Sequence, residues 1–298
     1  MHRALLLALT LLVGCDAAGF DDFVPEVAVS AVLEADSTLP LVYLSQTGPI
    51  DEPYDPLERA LRGAGVAVSL LRADGSVEAR YDYRDLADLT GEDSLAGIYS
   101  PPAVRVLAER RYRLEALVPG FEAPVTAETT VPRAFEIVRP PPDTVVFQQG
   151  SPPGSDVTPS GVGGAPSVYV FTITSLEPAV EALTPFAADL FFDRDVSFDN
   201  FVVTNSPLLN EGNYDRNADG TLRIEAPWFA FNFFGANRLQ ITALDEALQT
   251  FLEFQAIQFV PTTISPGEIP NVPTNVQNGV GVFGAVAQAT TSLVVARP

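Results

Sequence analysis

Cys15 is the one thiol of the chain, and its surroundings set its chemistry. His2 and Arg3 precede an almost wholly apolar run, Ala4 to Val13, and Gly14 puts a small residue directly before the cysteine. The run is too short to cross a bilayer, so Met1 to Gly14 reads as a cleaved secretion signal and not as a transmembrane helix. No A-x-A-like site stands before Cys15, which argues against an ordinary signal peptide with an incidental thiol. Cleavage before Cys15 leaves that cysteine first, ready for acylation. Two acyl signals hold a protein stably at a membrane, because each buried methylene adds about 0.8 kcal/mol. Residues 15–23 then form a short, acidic, lipidated tether.

A second constellation is Asp215-Arg216-Asn217-Ala218-Asp219-Gly220. It matches the first half of a calcium loop, in which alternating oxygen donors wrap a hard cation and the glycine permits a sharp turn. Asp215, Asn217 and Asp219 are the candidate ligands, and Leu222 sits where such loops carry an apolar anchor. The bidentate glutamate belongs at the twelfth position, which is Ala226; Glu225 comes one residue early. The flanking segments also look like strands and not EF-hand helices. The competing and preferred reading is a hairpin turn leading into Thr221 to Glu225.

Three other patterns are weaker. Gly279-Val280-Gly281-Val282-Phe283-Gly284 spells G-x-G-x-x-G, but a proline-rich loop precedes it, β-branched sequence follows, and no acidic residue stands between Gly284 and Pro298. Dinucleotide sites need a strand before, a helix after and an acid about 20 residues on. The glycines therefore read as letting a terminal strand pack closely or bulge. Paired carboxylates suffice for glycoside hydrolysis. Asp189, Asp193, Asp195 and Asp199 cluster, as do Glu92 and Asp93, yet a chain with 38 acids makes such clusters by chance. Trp228-Phe229-Ala230-Phe231-Asn232-Phe233-Phe234 alternates so that, on a strand, Phe229, Phe231 and Phe233 share one face. Core packing is the plain reading of that face, and a carbohydrate- or peptide-binding surface the other.

Absent side chains exclude more. The only His and Met are His2 and Met1, inside the signal, and all 17 basic residues are arginine. Past Cys15 there is no imidazole, thiol or lysine amine. Ser-His and Cys-His triads, Schiff-base chemistry, His- or Cys-based zinc sites and the P-loop are thereby excluded. A formal charge of −21 repels nucleic acid and anionic lipid.

The elements that must position these residues are β-rich. Val27 to Leu33, Leu41 to Leu44, Gly65 to Leu71, Ser76 to Tyr83, Arg111 to Leu117 and Ala123 to Val131 read as strands, with turns at Ala73-Asp74-Gly75 and Pro119-Gly120. Such short strands predict an immunoglobulin-like β-sandwich over 24–138. Arg139 to Pro166, with Pro140-Pro141-Pro142, Pro152-Pro153 and Gly161-Val162-Gly163-Gly164, predicts a linker or long loop, or else a hairpin tip within one continuous sheet. A β-rich domain over 167–298 follows, with Ser167 to Thr174, Ala188 to Phe192, Phe198 to Thr204, Arg238 to Thr242 and Val280 to Val295 as strands. One helix is expected over 242–259, capped by Thr242 and ended by Pro261.

Several of these stretches together resemble a lipoprotein family of Bacteroidota-type bacteria known as domain of unknown function 4249. They are the Cys15 signal followed by Leu41-Val42-Tyr43-Leu44-Ser45-Gln46-Thr47, and Gly63-Ala64-Gly65-Val66-Ala67-Val68 with the Asp74-Gly75 hairpin. They continue with Arg111-Tyr112-Arg113-Leu114 leading to Ala127-Glu128-Thr129-Thr130-Val131-Pro132. The most specific is Pro273-Thr274-Asn275-Val276-Gln277-Asn278-Gly279-Val280-Gly281-Val282-Phe283-Gly284. The resemblance implies a β-rich envelope lipoprotein working beside an outer-membrane transporter, with no catalytic residues to carry over. The expectation is a lipid-anchored outer-membrane protein with a non-catalytic binding or accessory role and no cofactor, calcium at the Asp215 loop being the alternative to the preferred turn. Its rivals are a carboxylate-based, glycan-directed hydrolase and a purely structural envelope protein.

Overall fold

The structure is a computed structural model that describes residues 23–49, 52–163, 165–193, 196–214, 216–258 and 273–298. The signal segment, Cys15, Asp195, Asp215 and Pro261 lie outside the described residues. The chain is mainly β. Strands β1 (Val27–Glu34), β2 (Val42–Gln46), β3 (Gly65–Leu71), β4 (Val77–Asp82) and β5 (Arg84–Asp85) lead to a short helix α1 (Leu86–Thr90). Strands β6 (Ile98–Ser100), β7 (Arg111–Leu117), β8 (Val125–Thr130), β9 (Ile137–Arg139), β10 (Thr144–Val146), β11 (Gly154–Val157) and β12 (Val168–Ser175) follow. Helices α2 (Pro185–Asp193) and α3 (Asp199–Val202) precede β13 (Val203–Asn205), β14 (Leu209–Asn210), β15 (Leu222–Glu225) and β16 (Gly235–Leu244). Helix α4 (Glu246–Gln258), β17 (Val276–Gln277) and β18 (Val280–Ala296) complete the order.

Two β-sandwiches share β18. In the first, the sheet β18–β1–β2–β6–β5 faces the sheet β17–β8–β7–β3–β4. Period-2 alternation turns Val27, Val29, Ala31 and Leu33 of β1 and Tyr112, Leu114 and Ala116 of β7 into one core. The Tyr112 hydroxyl accepts the Leu107 N–H at 2.9 Å, a bond from the start of a strand to backbone a few residues upstream, as in the tyrosine corner of immunoglobulin-like sandwiches. In the second sandwich, β12, β16, β18 and β10 face the three-stranded sheet β15–β11–β9. Phe147, Val157, Tyr169, Phe171, Phe231 and Leu293 fill the space between them.

The long last strand explains its glycines. Its first half runs parallel to β1, from Ala28↔Val280 to Glu34↔Val286; its second half runs antiparallel to β16, from Leu244↔Val286 to Gly235↔Val295. Gly281 has φ +105°, and a Cβ there would lie 2.1 Å from the Val29 carbonyl oxygen. A Cβ on Gly284 would stand 3.0 Å from Leu248 Cβ of α4. The G-x-G-x-x-G stretch thus lets β1 and α4 approach a strand closely, as expected from its β-rich context.

Four expectations change. The sandwich predicted over 24–138 is not closed by those residues: β17 and the first half of β18 complete it, and Val276, Phe283 and Ala285 belong to its core. Without β18 the outer edge of β1 would leave its backbone groups unpaired. The linker predicted over 139–166 holds β10 and β11, because its prolines fall between the strands and not within them. The expected helix over 242–259 begins only at Glu246, since Thr242 to Leu244 stay paired with β18. Ala188 to Phe192, which reads as a strand, is helical, and so is Asp199 to Val202 within the strand expected over Phe198 to Thr204. Pro185 opens α2 at the first helical position, where its missing N–H costs nothing, and an apolar run this short has no decisive period.

Candidate functional site

A cleft of about 960 Å³ opens where the two sandwiches meet the first turn of α4. The register of β16 against β18 builds its floor. Pairing runs to Leu244↔Val286, and the Asp245 N–H then donates to the Ala285 carbonyl at 2.9 Å. At Asp245 the chain leaves the sheet and begins α4. Its Oδ1 accepts the Leu248 N–H at 2.9 Å, so Asp245 caps the helix. Its Oδ2 accepts the hydroxyl of Thr129, which β8 brings from the other sandwich. Asp245 is buried, and desolvation pushes its carboxyl above the ordinary range; the Thr129 hydroxyl and the backbone N–H groups of the helix start pull the other way.

The rest of the lining is hydroxyl, amide and carboxylate. Asn275 spans the junction: its Nδ2 donates to the Glu128 carbonyl at 2.9 Å and the Phe283 carbonyl at 2.8 Å, and its Oδ1 accepts the Phe283 N–H at 3.1 Å. The Ser160 hydroxyl donates to the Arg133 carbonyl at 2.5 Å. The Glu128 side chain is held by Arg113 at 2.6 Å and Arg111 at 3.7 Å. Gln249, Asn210 and exposed Glu246 complete the polar wall. Such a surface can hydrogen-bond a polar, uncharged or cationic ligand. Three carboxylates against one arginine, Arg111, disfavour an anion. The Pro273–Phe283 stretch and Glu128-Thr129-Thr130 stand out in the sequence for their pattern and not as a site. The sequence reading puts the cap of this helix at Thr242; the cap is Asp245, and an Asp directly before a helical apolar pattern is the signal for it.

Of the proposed calcium residues, Asn217 and Asp219 lie elsewhere, in the turn before β15. Asn217 and Asp219 form a hairpin turn: the Asn217 N–H donates to the Thr221 carbonyl at 2.8 Å, and Gly220 has φ +83°. Asp219 Oδ1 accepts the Thr221 hydroxyl at 2.6 Å and its N–H at 3.1 Å; Oδ2 accepts Arg139 Nη1 at 2.7 Å. The Asn217 amide donates to the Thr221 hydroxyl at 2.9 Å. Arg139 and Thr221 hold the Asp219 carboxyl well below the usual carboxylate range. Asp215, the first candidate ligand, lies outside the described residues. Among the described residues no group of three or more His, Cys, Asp or Glu side chains is placed to hold a metal.

Among the described residues, none of the acidic clusters enters the cleft. Asp189, Asp193 and Asp199 are exposed on α2 and α3, and Asp93 pairs with Arg62 at 2.8 Å. The aromatic run is not a strand, because Pro227 starts a 3₁₀ turn over Trp228–Ala230. Phe231 and Phe233 are buried as expected of a core face, whereas Phe229 is 62% exposed and stands beside Phe186, ring centroids 6.3 Å apart.

Comparison with solved structures finds similarity to the native conformation of E. coli alpha-2-macroglobulin (10% identity, 77% of this chain and 14% of that one, TM-score 0.23). It also finds the I-band fragment I67-I69 from titin (7% identity, 92% and 65% covered, TM-score 0.22). Protocadherin Gamma B2 extracellular cadherin domains 3-6 are similar too (11% identity, 91% and 50% covered, TM-score 0.18). The chain spans less than two thirds of each of these structures. No curated protein matches. A family model described as "Domain of unknown function (DUF4249)" matches residues 17–292.

Proposed function

Since this chain belongs to the DUF4249 family, we propose that it is a lipid-anchored protein of the cell envelope, held at the outer membrane through Cys15, with a non-catalytic binding or accessory role beside an outer-membrane transporter. The observation that carries the non-catalytic reading is the state of the cleft carboxylates. Two of the three are engaged, Asp245 in capping α4 and with Thr129, and Glu128 with Arg113 and Arg111, which leaves exposed Glu246 alone. Hydrolysis by paired carboxylates needs a second carboxyl free to reach the substrate. The hydroxyls and amides around them suit recognition of a polar group by hydrogen bonding. The stretch before Cys15 and the single cysteine support the anchor. Among the described residues no helix is long and apolar enough to cross a membrane, so attachment falls to the acyl chains in this reading.

Metabolic labelling with a palmitate analogue tests the anchor. The wild-type chain should label and sediment with membranes. Cys15→Ala should lose the label and either leave the membrane fraction or stay uncleaved. Labelling that survives the substitution overturns the lipid assignment. Detergent extraction followed by affinity capture should bring down an integral outer-membrane transporter with the wild-type chain, and capture without one removes the accessory role.

A further inference from the structure

We infer that the surface where α2 meets the 3₁₀ turn over Trp228–Ala230, near the Gly235↔Val295 end of β18, is a docking surface for a partner protein segment that combines apolar with basic side chains. Two aromatic rings stand out there. Phe186 is 45% exposed and Phe229 62%, while Phe147, Phe231 and Phe233 just beneath are at most 2% exposed. The exposed pair is held on firm supports. Phe186 lies in the first turn of α2, and the Thr184 hydroxyl before it donates to the Phe231 carbonyl at 2.9 Å. Phe229 sits on the 3₁₀ turn, and the Phe234 N–H closes the same corner on the Ala182 carbonyl at 2.7 Å. Rigid, exposed aromatics are the groups that anchor protein interfaces, because little side-chain entropy is lost when they are covered.

The charge around them says what covers them. The exposed positions of α2 are Pro185, Phe186, Asp189, Phe192 and Asp193, so aromatic and acidic side chains alternate along one surface. Glu177 and Glu181 precede them. The ion pairs of this half gather on the three-stranded sheet and its margin: Arg139 with Asp156 and Asp219, Arg223 with Asp156 and Glu225, and Arg216 with Glu211. Among the described residues, Glu177, Glu181, Asp189 and Asp193 belong to none of these; Arg194, next to Asp193 in the sequence, lies outside the described residues. The nearby cation Arg297 lies over the Phe234 ring at 4.5 Å and donates to the Glu181 backbone carbonyl. Acids outnumber arginine in this stretch, with Glu177, Glu181, Asp189, Asp193, Asp195 and Asp199 against Arg194, so a basic, apolar segment would bring counter-charge. A second copy would set acid against acid on a chain of net charge −21, and an anionic bilayer would do the same.

Position agrees. Pairing runs from Ala28↔Val280 at one end of β18 to Gly235↔Val295 at the other, about 50 Å at roughly 3.3 Å per residue. If the chain is anchored through Cys15 as proposed above, the tether joins at the Val27 end and the aromatic pole faces away from that membrane. The docking surface itself does not depend on the anchor.

Trp228, the sole tryptophan, adjoins Phe229 and reports on the site by its fluorescence. The probes are a Leu/Lys amphipathic peptide, a Leu/Glu peptide of equal length, and phosphatidylcholine–phosphatidylglycerol vesicles. The titrations use the acylated chain and, separately, the full-length Cys15→Ala chain, so failure of the anchor leaves the result readable. The Leu/Lys peptide should shift Trp228 emission saturably. Phe186→Ser with Phe229→Ser should weaken that at least 10-fold, and so should Asp189→Lys with Asp193→Lys. Circular dichroism melts check folding, and the charge variant carries the test if the aromatic one unfolds. Undiminished binding by the folded aromatic variant, preference for the Leu/Glu peptide, a response of the Cys15→Ala chain to vesicles alone, or self-association through this face overturns the inference.

Discussion

Asp245 is the residue on which the two sandwiches and α4 converge. It caps the helix with one oxygen and meets Thr129 of the other sandwich with the second. Its burial raises the folded-state pKa, so the folded chain holds this proton more tightly than the unfolded one. The stability linked to that proton is fully present below the unfolded value and is lost as pH rises through the folded one. Two substitutions separate the cap from the charge. Asp245→Ala should destabilise by roughly 2 kcal/mol, about 1 for the lost cap and the rest for the Thr129 hydroxyl left without its acceptor. Asp245→Asn keeps an oxygen for the Leu248 N–H and cannot ionise. It should therefore match or exceed wild type at pH 7, and its margin should narrow on acidification below the Asp245 titration. Urea unfolding across pH checks both, and an Asn variant as unstable as the Ala variant would show that the charge itself is required.

At the scale of elements, the hairpin turn before β15 is held by side chains that a calcium loop would need for its ion. Both Asp219 oxygens accept protein donors, and Arg139 ties the turn to β9. Chelator should therefore leave the unfolding midpoint unchanged, whereas an ion present about 100-fold above its dissociation constant would add about 2.7 kcal/mol. A calcium-dependent rise that Asp219→Ala abolishes would restore the metal reading. The depressed Asp219 carboxyl gives the turn its own pH signature. Its contribution is present above the ordinary aspartate pKa and is lost as pH falls through the depressed one.

The whole molecule is tied together by one strand. Phe283 and Ala285 of β18 pack in the first core, and Ala287, Leu293 and Val295 in the second. A chain built this way should unfold in a single cooperative transition, with calorimetric and van't Hoff enthalpies in agreement. Deleting residues 276–298 should abolish folding of both sandwiches, not of the second alone. Two resolved transitions, or a cooperative melt from a 24–138 fragment, would show that the sandwiches are independent after all.

Local chemistry is legible in the amino-acid sequence itself. Alternation in β1 and β7 is a backbone-period signal, and turn residues such as Asp74-Gly75 act within their own few positions, so strands and hairpins can be read directly. The β-sandwich class follows from them, and so does the competition between turn and metal loop at Asn217 and Asp219. What the sequence alone leaves open depends on partners distant along the chain. Short strands β10 and β11 exist because β18 and β15 supply their hydrogen bonds, and β16 runs past Thr242 because β18 pairs it to Leu244. Phe186 and Phe229 are far apart along the chain and become one surface only because α2 packs against the 3₁₀ turn. Side-chain types and local periods belong to the sequence; pairing edges, burial of a lone carboxyl and the meeting of distant rings belong to the fold, because each is fixed by which surfaces the whole chain removes from water.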